Sequence, residues 1–209
     1  MRIAKEGYPF ILTGTALTTV AALAGWKLAC GALGIATVAL AGFFRDPERR
    51  VPSGEGLVVS PADGRVVSIA DVSSGSRFAD AVTRVSIFLS PLDVHINRSP
   101  VAGRVEQVQY RPGQFLPAYK GEASEHNEQN SLEVIDPQER LFGVIQIAGV
   151  LARRIVCWVR PGDTVARGDR FGLIMFGSRT DLYLPRGCKL EVTEGQRVKG
   201  GETIVGRFV

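Results

Sequence analysis

The first 44 residues differ from the rest of the chain in their pattern of hydrophobic and polar positions. Lys27 is the only charged residue between Tyr8 and Phe44, and it lies between two apolar runs, Pro9 to Gly25 and Leu28 to Phe44. Each run is near the lower limit of about 17 to 25 residues for a membrane-spanning helix. The pattern predicts a membrane-associated hydrophobic helical hairpin over residues 1–44, either spanning the bilayer or lying shallowly in it.

The residues that flank the two runs predict an orientation. Five basic residues lie next to the two ends of the hairpin: Arg2, Lys5, Arg45, Arg49 and Arg50. Trp26 and Lys27, at the turn, suit the boundary between lipid and water. The positive-inside rule then places both ends of the hairpin, and the domain that follows, on the cytoplasmic side of the cell membrane. Because Ala, Gly and Thr make the runs only moderately hydrophobic, a hairpin buried in a soluble core remains an alternative.

From residue 45 onward charged residues recur every few positions, and short β-rich runs are separated by Gly, Pro and Asp. Five runs are typical of strands: Leu57–Ser60, Arg65–Ile69, Val85–Leu89, Gly143–Ile147 and Arg154–Val159. No long pattern with a period of 3.6 residues accompanies them. We therefore expect residues 45–209 to form a mainly β domain.

A short repeat narrows the expected fold. Gly162 to Asp169 is similar to Gly195 to Glu202, and each segment is typical of a turn, a short strand and a second turn. Elements of this kind resemble those of biotinyl and lipoyl carrier domains, which predicts a flattened barrel-sandwich β domain. Ordinary hairpins of an unrelated β fold are the alternative. A carrier needs a lysine at its hairpin tip, but the corresponding stretch, Leu173 to Thr180, contains Ser178 and no lysine.

Charge and cysteine content exclude some classes of function. The formal net charge is +4, without the basic stripe and interleaved aromatics that nucleic-acid binding requires, so no nucleic-acid partner is expected. The three cysteines are Cys30, Cys157 and Cys188, with no pair at the spacing of a metal or redox site. No metal site is expected, and a reducing compartment is compatible with this pattern.

Few residues are candidates for chemistry, and none is decisive alone. His95 follows an apolar strand, where a loop can present a side chain, whereas His126 lies in a polar run typical of a surface. Asp63 lies in a Pro-Ala-Asp-Gly turn, where an aspartate commonly bonds to nearby backbone amides. Gly177-Ser178 lacks the flanking pattern of a hydrolase nucleophile. Each of these residues also has an ordinary structural explanation.

The combination of motifs is far more specific. Five segments occur in a fixed order: Phe43 to Arg49, Ser60 to Gly64, Phe88 to His95, Asn127-Glu128, and Phe176 to Ser178. Together they closely resemble the short form of phosphatidylserine decarboxylase proenzymes, and the resemblance runs from Phe43 to about Val205. It implies a pyruvoyl-dependent lyase that decarboxylates phosphatidylserine to phosphatidylethanolamine in phospholipid biosynthesis.

The resemblance also implies how the cofactor arises. The chain would cut itself without hydrolysis between Gly177 and Ser178, giving a large chain of residues 1–177 and a small chain of residues 178–209. Residue 178 would become a pyruvoyl group that forms a Schiff base with the substrate amine, so that neither pyridoxal phosphate nor a metal is required. The two chains would stay together as a heterodimer that could oligomerise further, with a membrane phospholipid as substrate.

The resemblance assigns roles to two further residues. His95 would act as acid and base, and Asp63 would assist self-cleavage by ordering the imidazole. Many relatives carry a second histidine three positions later, where this chain has Arg98, so the division of roles stays open. Two alternatives also stay open: a decarboxylase for archaetidylserine-type ether lipids, and a non-enzymatic, membrane-anchored, carrier-like binding module.

Overall fold

The computed structural model describes residues 2–72, 78, 81–116, 126–149, 154–175 and 178–208. Its contacts divide the chain into two compact units, Met1–Glu48 and Arg49–Val209. The sequence placed the boundary after residue 44. The four intervening residues include β2, which pairs with the start of the chain.

The first unit is a helical hairpin. Helix α1 spans Tyr8–Leu23 and begins with proline in its first turn, where the missing N–H costs nothing. Helix α2 spans Lys27–Phe43, and a two-strand ladder of β1 (Arg2–Ile3) and β2 (Arg45–Asp46) closes the open end. Gly25 adopts a φ of 72° between the helices, a conformation that favours glycine.

Phe44 anchors the base of this hairpin. Its ring is fully buried and stacks on Phe10, with the ring centroids 5.5 Å apart. A Cβ atom on Gly7 would collide with this ring, so that position accommodates only glycine without rearrangement. Among the described residues, no helix has the length and apolar character needed to cross a membrane.

The second unit is built almost entirely of strands. They are β3 (Leu57–Val59), β4 (Gly64–Asp71), β5 (Ala81–Leu89), β6 (Ile96–Arg98), β7 (Gly103–Arg111), β8 (Gln129–Ile135), β9 (Leu141–Ala148), β10 (Ile155–Cys157), β11 (Thr164–Val165), β12 (Arg170–Ile174), β13 (Ser178–Pro185), β14 (Lys189–Leu190), β15 (Arg197–Val198) and β16 (Ile204–Arg207). Eight of them form one antiparallel sheet in the order β11-β7-β8-β9-β13-β5-β4-β15. Two three-stranded sheets, β10-β12-β6 and β14-β16-β3, complete the described part of this unit.

The eight-stranded sheet curls around one hydrophobic core. Its inward-facing residues alternate along the central strands, as Val85, Ile87 and Leu89 do on β5. Val144 on β9 and Leu182 on β13 belong to the same cluster. Since β13 lies between β5 and β9 and pairs with both, it is a central strand of the sheet.

The sequence repeat corresponds to a structural repeat. In one copy β3 pairs with β16 and β4 with β15; in the other β6 pairs with β12 and β7 with β11. The copies interlock through reciprocal backbone bonds: the Val59 amide donates to the Pro100 carbonyl at 2.9 Å, and the Arg98 amide donates to the Pro61 carbonyl at 2.8 Å. Each copy thus supplies a backbone hydrogen-bond acceptor to a strand of the other copy.

The predicted fold class, a mainly β domain preceded by a helical hairpin, is confirmed. The structure differs from a carrier domain at the expected hairpin tip. Strands β12 and β13, on either side of the expected tip, lie in different sheets and do not pair with each other. Ser178 therefore begins a central strand and does not sit at the tip of a simple hairpin.

Candidate active site

Four of the five motifs meet at one end of the eight-stranded sheet. Strand pairing aligns Arg65, Phe88, Arg179, Ile147 and Gln129 in a single row across β4, β5, β13, β9 and β8. The Asp63 turn, the His95 loop, Ser178 and Asn127-Glu128 all lie immediately beyond this row. We call this edge the Ser178 end of the sheet. Gly177, the other half of the predicted cleavage site, lies outside the described residues.

Ser178 is held from both sides. It pairs with Leu89 on β5 and with Ala148 on β9, and it is completely buried. Its Oγ has no hydrogen-bond partner among the described residues. Burying a hydroxyl without a partner costs about 1–3 kcal/mol, so such an Oγ is unusual for a serine with a purely structural role.

The loop between β5 and β6, which carries His95, begins directly after Leu89, the register partner of Ser178. The loop is closed by the Asp93 carboxylate, which accepts a hydrogen bond from the Ser90 amide at 2.8 Å. The His95 carbonyl accepts a bond from Ile174, at the end of β12, at 3.3 Å. The second bond ties the loop to β12, the strand that precedes residue 178.

The hydrogen bonding of the buried His95 ring defines its tautomer. Nδ1 lies 2.9 Å from the backbone carbonyl of Asp93. Because a carbonyl oxygen can only accept, Nδ1 must carry the hydrogen, which leaves Nε2 of the neutral ring with its lone pair free of a proton. The ring is thereby prepared to take up a proton at Nε2.

Asp63 lies at the same end of the sheet, two strands from Ser178 or about 10 Å by the usual strand spacing. Within the described residues its carboxylate accepts bonds from Arg49 Nη2, at 2.8 and 2.9 Å, and from the Gly200 amide at 2.8 Å. Burial raises the pKa of Asp63, while the Arg49 charge and these bonds oppose that shift. The orienting acceptor on Nδ1 of His95 is the Asp93 carbonyl and not this carboxylate, so the catalytic role of Asp63 stays a prediction.

Asn127 and Glu128 support the strand opposite Ser178. The Asn127 side chain donates to the Ala148 carbonyl at 2.7 Å and exchanges two further bonds with the backbone of Leu116. The Ala148 amide in turn donates to the Glu128 carbonyl at 3.0 Å. Since Ala148 is the register partner of Ser178, these bonds fix one wall of the site.

Sequence reasoning missed a chain of buried amides beneath the site. Asn130 donates to Gln146 at 2.9 Å, Gln146 donates to Asn97 at 2.8 Å, and Asn97 donates to Thr180 at 3.1 Å. Asn97 also lies 3.4 Å from the Pro61 carbonyl, two residues before Asp63. Buried networks of this kind make a unique arrangement rigid. No sequence motif marked them, because amide residues are common and these three are far apart in the chain.

Three further residues from the sequence analysis have defined positions in the structure. Arg98 is buried, and its guanidinium donates to the Gly168 carbonyl at 2.8 Å, in the turn before β12. His126 is exposed, as its polar surroundings in the sequence predicted. Arg49, which the sequence marked only as a charge beside the membrane, is the ion-pair partner of Asp63, and its place in the Phe43 to Arg49 motif was the one available signal.

Comparison with known proteins supports the interpretation of this geometry. The family model described as phosphatidylserine decarboxylase matches residues 37–206. A phosphatidylserine decarboxylase proenzyme from Nitrobacter winogradskyi is 48% identical over 99% of this chain and 84% of its own length. Proteins of the same name from Syntrophus aciditrophicus and Gluconobacter oxydans are 44% and 48% identical, over 99% and 98% of this chain and 97% and 93% of their own lengths. The chain belongs to the phosphatidylserine decarboxylase family.

Proposed function

We propose that this chain is the proenzyme of a phosphatidylserine decarboxylase, which cuts itself between Gly177 and Ser178 and then converts phosphatidylserine to phosphatidylethanolamine in phospholipid biosynthesis. The observation that carries the proposal is the Ser178 hydroxyl. It is buried and unpartnered among the described residues, and it lies at the first position of a central strand in a chain of this family. A carrier-like binding module would have no use for such a group.

The self-cleavage begins with an attack by Ser178 Oγ on the carbonyl carbon of Gly177. His95 Nε2 takes the hydroxyl proton, and the amide nitrogen leaves as an amine once it is protonated, so that an ester joins the two residues. Removal of the Cα proton of residue 178 breaks its Cβ–O bond and releases Gly177 as a carboxylate. Tautomerisation and hydrolysis then release ammonia and leave a pyruvoyl group on residue 178.

The surroundings of residue 178 fit this group. Its position is enclosed, and it is fixed by β5 on one side and β9 on the other. The pyruvoyl carbonyl would supply the electron sink that decarboxylation requires. The chain contributes His95 as a proton carrier at Nε2, and it holds the strand in place through the bond between Asn97 and Thr180.

We also propose that the two chains remain associated after the cut. Strand β13 would belong to the small chain; all eight of its residues pair with β5, and six of them also pair with β9, of the large chain. Strands β15 and β16 of the small chain add pairings with β4 and β3. The large chain would be residues 1–177 and the small chain residues 178–209.

Mass analysis of the purified protein tests the proposal. We expect two chains in denaturant, the smaller one blocked at its N-terminus by pyruvoyl, and a single particle by gel filtration without denaturant. Purified enzyme in detergent should release labelled carbon dioxide from carboxyl-labelled phosphatidylserine. A single intact chain, or a small chain that begins with serine, would contradict the proposal.

We further propose that the hairpin holds the enzyme on the cytoplasmic face of the cell membrane. Leu23 and Leu28, on either side of the turn, are 85% and 92% exposed, and Ile35 and Val38 are also exposed. Apolar side chains in such numbers are stabilised by lipid. A lipid substrate requires the enzyme at the interface, and the exposed Arg2 and Arg50 beside the hairpin favour anionic headgroups.

Vesicle flotation tests the role of the hairpin. With vesicles of phosphatidylcholine and phosphatidylglycerol, we expect the wild-type protein to float and a Leu23→Glu/Leu28→Glu variant to bind at least tenfold more weakly, because two charges would enter the apolar surface. Val67→Glu, which adds a charge at an exposed valine of the β unit, is the control. Equal flotation of the double variant and the wild type would refute the anchor.

A further inference from the structure

We propose that Arg49 is a positioning residue for self-cleavage, which holds the Asp63 carboxylate in place and in its charged form. The inference rests on the proposed function and on the role in self-cleavage that the family resemblance implies for Asp63. It adds a residue whose sequence position suggested only membrane topology.

The geometry is that of a two-sided clamp. One nitrogen of Arg49, Nη2, donates to both oxygens of Asp63, at 2.9 and 2.8 Å, and the Gly200 amide donates to Oδ1 at 2.8 Å. The side chain of Arg49 is only 8% exposed, so water screens this pair weakly. The carboxylate is fixed both by a buried cation and by a backbone amide.

Glu202 holds the arginine itself. Its Oε2 lies 3.9 Å from Nη1 of Arg49, while its Oε1 accepts a bond from the Arg50 amide at 3.0 Å. Both Gly200 and Glu202 would belong to the small chain, whereas Arg49 and Asp63 would belong to the large one. The clamp is therefore complete only when the last strands of the chain have folded onto the sheet.

The repeat argues that the clamp is not needed to form the turn. The turn Pro61 to Gly64 corresponds to Pro100 to Gly103, where Ala102 takes the place of Asp63. Both turns keep the same internal bonds: Ser60 Oγ donates to the Ala62 carbonyl, and Ser99 Oγ to the Val101 carbonyl, each at 2.7 Å. The second copy builds this turn without a carboxylate, so the charged pair serves another purpose.

The electrostatics at Asp63 suggest that purpose. Burial and the nearby Asp93 carboxylate raise the pKa of Asp63, and the Arg49 charge lowers it. Other charged groups face the clamp region: Glu202 across Arg49, Lys199 at 3.9 Å from Glu202, Arg98 beside Gly201, and Arg197 at 3.3 Å from Asp93. Without Arg49 the carboxylate would take up a proton at higher pH and lose its fixed orientation.

The pH dependence of self-cleavage in freshly synthesised precursor tests the inference. We expect the Arg49→Gln precursor to cut itself at least tenfold more slowly at pH 7, and its cleavage rate to recover as the pH rises. Without the Arg49 charge the pKa of Asp63 is higher, so the rise of the rate with pH is shifted to higher pH. Arg49→Lys should restore most of the rate, since it keeps the charge. The rate is measured from the fraction of cut chain on denaturing gels between pH 5.5 and 9.

Three comparisons keep the test decisive. Arg140→Gln breaks the Arg140–Asp136 pair at the far end of the sheet and should leave the profile unchanged. In an Asp63→Asn background, Arg49→Gln should cause no further pH shift. Equal slowing at every pH, or a normal rate in Arg49→Gln, would overturn the inference. A wild-type precursor that never cuts would instead overturn the proposed function.

Discussion

Ser178→Ala is expected to leave the protein as one uncut chain of about its full 22.5 kDa, with decarboxylation reduced by at least about 10⁴-fold. Alanine cannot attack the Gly177 carbonyl, and no pyruvoyl group can form from it. The loss should be near complete because the reaction has no other electron sink in the proposed mechanism. Denaturing gels and carbon dioxide release measure the two effects.

Stability measurements separate this result from misfolding. The hydroxyl is buried without a partner among the described residues, so its removal should not destabilise the precursor and should stabilise it slightly. Ser86→Ala is a matched control, because Ser86 is also buried and lies in the neighbouring strand β5. It should cut and react normally. Two chains in the Ser178→Ala variant would exclude Ser178 as the source of the cofactor.

His95→Ala is expected to slow self-cleavage by about 10² to 10⁴-fold, the usual effect of losing a positioned acid or base. The Nδ1 bond to the Asp93 carbonyl fixes the tautomer, so an asparagine that keeps only this contact should not restore the rate. The time course of chain cutting in freshly made protein is the measurement. Added imidazole should restore part of the rate.

The chain supplies its own control for this experiment. His126 is the second of only two histidines, and it is exposed. His126→Ala should cut and decarboxylate like the wild type. If His95→Ala were cut at the normal rate, the base would have to be another group, and the role assigned to His95 would be wrong.

Much of the fold could be predicted because it follows local rules. The apolar runs Pro9 to Gly25 and Leu28 to Phe44 correspond to α1 and α2 within two residues at each end. The Gly162 and Gly195 repeat correctly predicted two equivalent turn-strand-turn elements, since glycine there adopts positive φ. Such signals depend on neighbouring residues only.

Strand β13 shows why the rest could not be predicted. Its start reads Ser-Arg-Thr-Asp, a polar sequence without the alternation of a half-buried strand, yet all four residues are buried. Arg179 and Asp181 form an ion pair on one face, with Nε and Oδ1 2.9 Å apart, while Thr180 bonds to Asn97 on β6. Thr180 and Asn97 lie far apart in sequence, and only the tertiary structure brings them together.

The candidate site likewise contains residues that the sequence predicts and partners that it does not. Ordered motifs predicted Ser178, His95 and Asp63, and the fold brings the segments that carry them to one end of a sheet. The partners of these residues could not be predicted, because they are backbone groups or distant side chains. The carbonyl of Asp93 and the guanidinium of Arg49 are the examples that change the chemistry.

The interlocked repeat has a consequence for how the enzyme must be made. One copy lies wholly before residue 178, whereas the other takes β3 and β4 from before that point and β15 and β16 from after it. The final segment has no core of its own, so separately synthesised pieces should not assemble into enzyme. We therefore expect maturation to require a single precursor, in which these strands have already paired before the cut.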